Sequence, residues 1–476
     1  MVFSSLLFVF LFLVLNLLVY SRAKTITAKN AVMLAFSLIF YAWGGPKYLL
    51  LLLGMTAISW LMALLIGNFP KQKKIFMILE CLLLLGLLAV FKYSGFLLGN
   101  LQALTGWPEL IPEIALPIGI SFYTFQLLSY VADVYRMEVR PQRKFWILLL
   151  YASLFHQCIA GPIVRYKDVR RDIFHRKQTV REVDQGIQRF CIGLAKKAVL
   201  ANGCAAIADT YLLTDDLASL AEVSAAGLWL GLLCFTLEIY LDFSAYSDMA
   251  IGMGLMIGFH YKENFNYPYI SASVTEFWRR WHISLSSFFR DYVYIPLGGN
   301  RKGSRRRIIN LFVVWFLTGL WHGASWNYIL WGLYFFVFLV LEKSFLLEFL
   351  NTLPGIAGHI YTLIVIYFGW ALFKCENLPA LGYILRGMFC LNGNTLCDMQ
   401  ASLSFRNNIF FLIFCLIACT PLLKLVRNIV SGLFREHDCI PYPVYIYDVI
   451  CPVVLLVLST MALVGNSYNP FLYFQF

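Results

Sequence analysis

The chain has 476 residues, of which 60% are hydrophobic and 13% charged, with a mean hydropathy of +0.71. A soluble domain carries roughly a quarter charged residues, so this composition excludes an ordinary soluble protein and describes an integral membrane one. Thirty-eight Lys and Arg against 26 Asp and Glu leave +12, but the basic residues sit in short segments between apolar stretches, the pattern of cytoplasmic loops and not of a nucleic-acid binder.

Residues Leu6 to Val19 are apolar except for Asn16. No positive residue precedes them and no small-residue cleavage site follows, so they read as a first span and not a signal peptide. Arg22, Lys24 and Lys29 follow, and the positive-inside bias then places the N-terminus outside. Apolar segments near 30–45 and 47–66 return the chain to Lys71, Lys73 and Lys74. Segments 75–91 and 115–135 lead out and back to Arg136, Arg140, Arg143 and Lys144.

Apolar 145–164 is followed by Arg165, Lys167, Arg170, Arg171, Arg176, Lys177 and Arg181. Two inside loops cannot flank one span, so 145–164 is expected to dip in and return, broken at Gly161 and Pro162. Spans near 190–212 and 224–241 follow. The same charge argument predicts a second partial insertion over 242–258, before a basic stretch running from Lys262 to Arg307.

Ile308 to Leu341 is apolar throughout, too long for one helix of about 20 residues and short for two, so it must fold back near Gly319 to Asn327. Residues 308–320 rise only about 20 Å at roughly 1.5 Å per residue, which sets the turn with His322 short of a hydrocarbon core about 30 Å thick. Spans near 356–373, 407–423 and 443–466 place Lys424, Arg427 and Arg435 inside. The fold class is an all-α polytopic membrane protein with about 11–12 transmembrane helices plus re-entrant segments.

Polar groups at membrane depth are costly, which makes them functional candidates. His322 lies in Leu320-Trp321-His322-Gly323-Ala324-Ser325-Trp326-Asn327, among small residues that let backbone and ligand approach. Its imidazole is suited to accept a proton near neutral pH; the alternative is a buried histidine bonded to a neighbouring helix. His282 falls in Thr275 to Ile295, where Phe277, Trp281, Leu285, Phe288 and Tyr292 make one helical stripe and Arg280, Ser284, Ser287 and Asp291 the opposite one. That pattern predicts one helix in the cytoplasmic interface, with His282 at the edge of its two faces, toward headgroups more readily than toward a cavity.

Arg279, Arg280, Arg290 and the run Arg301 to Arg307 offer contacts to the phosphates of a nucleotide-bearing substrate or anionic lipid, beside the plainer reading of positive-inside charge. Asp242 and Asp248 are acids in apolar sequence, able to orient a histidine, pair with an arginine or hold a loop, with the structural roles favoured. His156 is a weaker candidate, and His175, His260, His359 and His437 read as bystanders. No phosphate-binding glycine loop, GxSxG elbow or HExxH helix occurs, and the Cys and His spacings offer no metal site.

These residues assemble into motifs that resemble the membrane-bound O-acyltransferase (MBOAT) family, in its bacterial branch of alginate O-acetyltransferase membrane components. The teichoic acid D-alanyl transferases are more distant relatives by the same motifs. The similar segments run from Leu116-Pro117-Ile118-Gly119 through Gly161-Pro162-Ile163-Val164-Arg165-Tyr166 and Asp242-Phe243-Ser244-Ala245-Tyr246-Ser247-Asp248. The most specific are Phe277-Trp278-Arg279-Arg280-Trp281-His282, Arg290-Asp291-Tyr292-Val293-Tyr294-Ile295-Pro296-Leu297-Gly298-Gly299 and Gly319-Leu320-Trp321-His322-Gly323. Ala245 departs from the family's usual glycine, a change of small for small.

By this resemblance, His322 matches the family's catalytic histidine and His282 its second conserved position. The fold implied is a ring of helices around a thin centre, with opposed funnels. The chain would then divide into N-terminal helices over 1–114, a catalytic core over 115–345 and C-terminal helices over 346–476.

The activity implied is transfer of an acyl group, acetyl by analogy, from cytosolic acetyl-CoA to a hydroxyl outside. No bound cofactor is expected. The implied acceptor is an exopolysaccharide or cell-wall glycan served by an extracytoplasmic SGNH-type acetyltransferase, and the setting a bacterial inner membrane. Arg279, Arg280, Trp321, Asn327, Asp291, Asp242 and Asp248 are the candidates for donor or substrate contacts. Two other readings stay open at this point: a transporter with a histidine proton relay, and an acyltransferase directed at lipid. Cys390 and Cys397, in a segment placed outside, are candidates for a disulfide.

Overall fold

The computed structural model describes residues 1–106, 114–158, 161–433, 442–465 and 471. Among the described residues, nine helices are long and apolar enough to cross a membrane, from Ile26–Trp43 to Ile446–Gly465. This is an all-α multi-pass membrane protein. Shorter or partly charged helices, Phe8–Arg22, Ile120–Tyr135 and Gly303–His322, join them. His437 and Arg435 lie outside the described residues.

Packing divides the chain into two interleaved units. The first comprises Met1–Phe190, Tyr246–Glu263 and Arg290–Tyr292. Within it, helices Pro46–Asn68, Lys73–Thr105 and Ile120–Tyr135 pack on one another. Pro46 occupies the first helical turn, where its missing N–H costs nothing. Glu80 is fully buried in this unit and accepts a 2.6 Å hydrogen bond from Ser59 Oγ, which ties two of the helices.

The expected break in 145–164 takes the form of two short helices, Phe145–Ser153 and Phe155–Cys158, followed by extended chain from Gly161. Nine residues of helix rise only about 14 Å, less than half a hydrocarbon core. At Gly161 a Cβ would crowd the His156 carbonyl oxygen at 2.9 Å, so the return of the chain needs glycine.

The second unit comprises Cys191–Ala245, Asn264–Phe289 and Val293–Phe476. Its central packing is helix Gly303–His322 against helix Trp326–Leu341. The chain folds back between them over residues 323–325. A Cβ on Gly319 would strike the Tyr328 carbonyl, and one on Gly332 the Trp315 carbonyl, so paired glycines let the two backbones touch.

Three expectations are corrected. Residues 242–258 form no second partial insertion: Ala225–Met256 is one helix of 32 residues. Loop charge alone did not decide the matter: the helix runs on unbroken, and its Asp242 and Asp248 are paired with Lys197 and Arg189. The helix ending at His322 has 20 residues, starting at Gly303 and not at 308, because arginine is a good helix former and the basic run Arg305 to Arg307 joins it. At about 30 Å, its length no longer requires a recessed turn.

Thr275 to Ile295 is not one helix either. Val274–Arg280 and Ile283–Phe289 are separate seven-residue helices, broken where His282 takes a left-handed φ of 42°. Cys390 and Cys397 are free thiols.

Candidate active site

The break at His282 is held by side chains that no local pattern predicts. Ser273 caps Val274–Arg280, and Glu342 accepts from the Val274 and Thr275 amides at 2.6 and 2.8 Å. Ile283 N donates to the Asn264 carbonyl at 2.9 Å. The interfacial reading of His282 is overturned, since the residue is 1% exposed. Its ring meets Phe243 edge-on at 4.7 Å and Trp321 at 5.8 Å.

Asn264 sets the tautomer of that ring. Its Oδ1 accepts from Ser284 N at 3.1 Å and Ser284 Oγ at 2.8 Å, so the 3.2 Å contact to His282 Nδ1 puts the proton on Nδ1. Nε2 then carries a lone pair, and among the described residues it has no hydrogen-bond partner. An Asn264→Ala variant is expected to lower turnover roughly 10- to 100-fold, less than removal of a general base. Asn264→Asp, which keeps an acceptor, should retain most of it. Equal loss in both would reject the positioning role.

His322 ends helix Gly303–His322 and is 6% exposed. Its ring lies edge-on to Trp331 at 4.8 Å, Phe373 at 5.3 Å and Trp321 at 5.0 Å. The Trp321 indole therefore touches both histidines, which the fold brings together from segments forty residues apart in sequence. Aromatic rings thus wall the imidazole on three sides.

The remaining candidates separate by partner. Asn327 is fully buried and donates Nδ2 to the Leu372 and Phe373 carbonyls at 3.5 and 3.2 Å, so it caps a neighbouring helix and fixes Phe373 against His322. Arg280 is engaged by Glu276 at 2.9 Å and by the Asn266 carbonyl at 3.1 Å. Arg279 is exposed and makes no hydrogen bond or ion pair among the described residues, which suits it to a ligand anion.

The three acids are occupied elsewhere. Asp242 pairs with Lys197 at 2.6 Å, both side chains at 3% exposure or less. Asp248 pairs with Arg189 at 2.9 Å in the first unit. Asp291, also in that unit, pairs with Arg165 and Arg290, each at 2.7 Å. Burial pushes the Asp291 carboxyl up, but the hydrogen bonds from Arg290 and Arg165 outweigh it and hold the group below the usual carboxylate range.

Sequence reasoning missed Asn264, Glu342, Lys197, Trp331 and Phe373. Lys197 and Glu342 sit in or beside apolar runs, and the rule that flagged Asp242 applies equally to them. Asn264 carries no such signal.

Two of the bystander histidines make structural contacts. His359 Nδ1 lies 3.2 Å from the Ser271 carbonyl. His260 contacts Asp172 at 3.4 Å and Glu182 at 3.0 Å, and these partners, Glu182 first, raise its pKa. A raised folded-state pKa stabilises below the unfolded value near 6.5, and the gain is lost as pH rises through the folded value. His260→Gln should therefore lower thermal stability at pH 6, by at most about 1 kcal/mol for so exposed a pair, and have no effect at pH 9. An equal effect at both pH values would reject the assignment.

Residues 144–385 match the membrane-bound O-acyltransferase family. The chain is 35% identical to the probable alginate O-acetylase of Azotobacter vinelandii over 507 aligned residues, covering 100% of both proteins. It is 40% identical to the probable alginate O-acetylase of Pseudomonas aeruginosa over 399, covering 82% of this chain and 75% of that one. It is 32% identical to the peptidoglycan O-acetyltransferase of Helicobacter pylori over 519, covering 100% and 98%. The chain belongs to the membrane-bound O-acyltransferase family and is an O-acyltransferase enzyme.

Proposed function

We propose that the protein takes an acetyl group from acetyl-CoA on the cytoplasmic side of a bacterial inner membrane and delivers it to a hydroxyl on the other side, for O-acetylation of a glycan. The observation that carries this reading is the shared packing of His282 and His322 on Trp321, which sets two imidazoles in one aromatic pocket. The glycan acceptor rests on the relatives, whose names specify alginate and peptidoglycan. The acceptor this protein serves directly is either the sugar itself or a side chain of an SGNH-type acetyltransferase outside, which then passes the group to the glycan.

His322 acts as general base. It takes the proton of the acceptor hydroxyl as the oxygen attacks the thioester carbonyl. The C–S bond then breaks, and the proton passes to the departing thiolate, giving the ester and CoA thiol. His282, with its lone pair on Nε2, positions or polarises the donor, and Arg279 offers a cation to the donor's phosphates.

The reading is tested in sealed vesicles of known orientation, with labelled acetyl-CoA on one side and the partner acetyltransferase or glycan on the other. Label should reach the far-side acceptor only when acetyl-CoA faces the basic loops. Label on lipid, or CoA release without any transfer, would reject it.

A further inference from the structure

A groove of about 660 Å³ opens along three spans of the second unit, Ala225–Met256, Gly355–Lys374 and Met399–Ala418. Its walls include Trp229, Leu233, Leu363, Tyr367 and Phe405, and Arg406 also belongs to the lining. The groove lies apart from the histidines, none of whose contact residues lines it. Two polar groups of the walls are spent internally. Trp229 Nε1 donates to the Met388 carbonyl at 2.9 Å, Tyr367 Oη donates to the Trp229 carbonyl at 2.7 Å, and the two rings stack at 5.5 Å. What remains is an apolar trough asking for hydrocarbon.

Arg406 is the exception. It lies two turns inside an apolar helix, and among the described residues it forms no hydrogen bond or ion pair. Two other cations on spans of this unit carry carboxylates: Lys197 has Asp242 at 2.6 Å and Lys374 has Asp209 at 2.9 Å. A cation left uncompensated in a membrane-spanning helix calls for an anion from outside the chain. An apolar trough whose lining also carries such a cation matches one molecule with a hydrocarbon tail and a phosphate head.

We propose that this groove binds an anionic phospholipid, with an acyl chain along the trough and its phosphate on Arg406. The inference does not depend on the acyl-transfer reading, since neither histidine takes part.

The test is native mass spectrometry of the full chain in neutral detergent, with phosphatidylglycerol or phosphatidylcholine of identical acyl chains. Wild type should retain phosphatidylglycerol roughly five-fold better, the worth of one cation against an anionic headgroup. Arg406→Gln should retain the two lipids equally. Arg427→Gln, whose guanidinium is held by Asp448 at 2.7 Å, should keep the preference. Leu363→Trp, which fills the trough from a 44% exposed position, should retain less of both. An undiminished preference in Arg406→Gln, undiminished retention in Leu363→Trp, or no lipid retained by wild type would each overturn the proposal.

Discussion

Replacing His322 by Ala is expected to slow release of CoA thiol from acetyl-CoA by roughly 10²- to 10⁴-fold, the usual contribution of a positioned general base. His322→Gln serves as companion, because it keeps polar bulk against Trp331 and Phe373 while removing the base. Both variants should lose turnover to a similar degree, with acetyl-CoA binding little changed, since the base acts on the acceptor's proton and not on the donor's grip. The measurement is thiol release by purified protein in nanodiscs with an acceptor present, alongside thermal unfolding to establish that each variant folds. Turnover within two-fold of wild type in folded His322→Gln would remove His322 from the mechanism. His282, whose Nε2 has no partner among the described residues, would then be the base to test.

The second large effect is on stability. Lys197 and Asp242 form an ion pair at 2.6 Å with both side chains nearly inaccessible. Removing one partner strands a charge, at a cost of about 3–5 kcal/mol. Lys197→Met should therefore destabilise the protein severely, although the Met stem still packs where the Lys197 ammonium now faces the Phe471 ring at 4.9 Å. The double variant Lys197→Met with Asp242→Leu removes both charges together, and an apolar pair of similar volume in such a site is often neutral or better. Most of the lost thermal stability should return in it. A single variant as stable as wild type would show that the pair contributes little. A double variant as unstable as the single one would show that the damage is in packing and not in charge.

Much of the architecture was legible in the chain. Composition placed it in a membrane, and apolar run lengths predicted most spans to within a few residues, because the bilayer imposes one length on every crossing helix. The fold-back before Trp326 followed from a run too long for one helix. The motif around His322 was legible as well, since an imidazole among small residues in apolar sequence stands out. The failures share a cause. The dip over 242–258 was inferred because the basic stretch after it seemed to demand a return to the inside, but the segment belongs to one continuous helix, in which Lys197 and Arg189 neutralise Asp242 and Asp248. The stripe over Thr275 to Ile295 fits a helix by periodicity, and nothing local announces that Asn264 and Glu342 will divide it at His282.

The sequence by itself determined the class of protein and the approximate limits of many of its spans, and singled out His322. Each of these follows from composition or from spacing along one stretch of chain, whereas His282 was raised only by resemblance to the family. Tertiary structure decided that His282 is buried and not interfacial, that one indole touches both imidazoles, and that Asp242, Asp248 and Asp291 are held in ion pairs. Those outcomes depend on which distant side chain supplies a buried charge or a hydrogen-bond acceptor. Burial makes such a partner obligatory, but only the packed fold chooses which residue provides it.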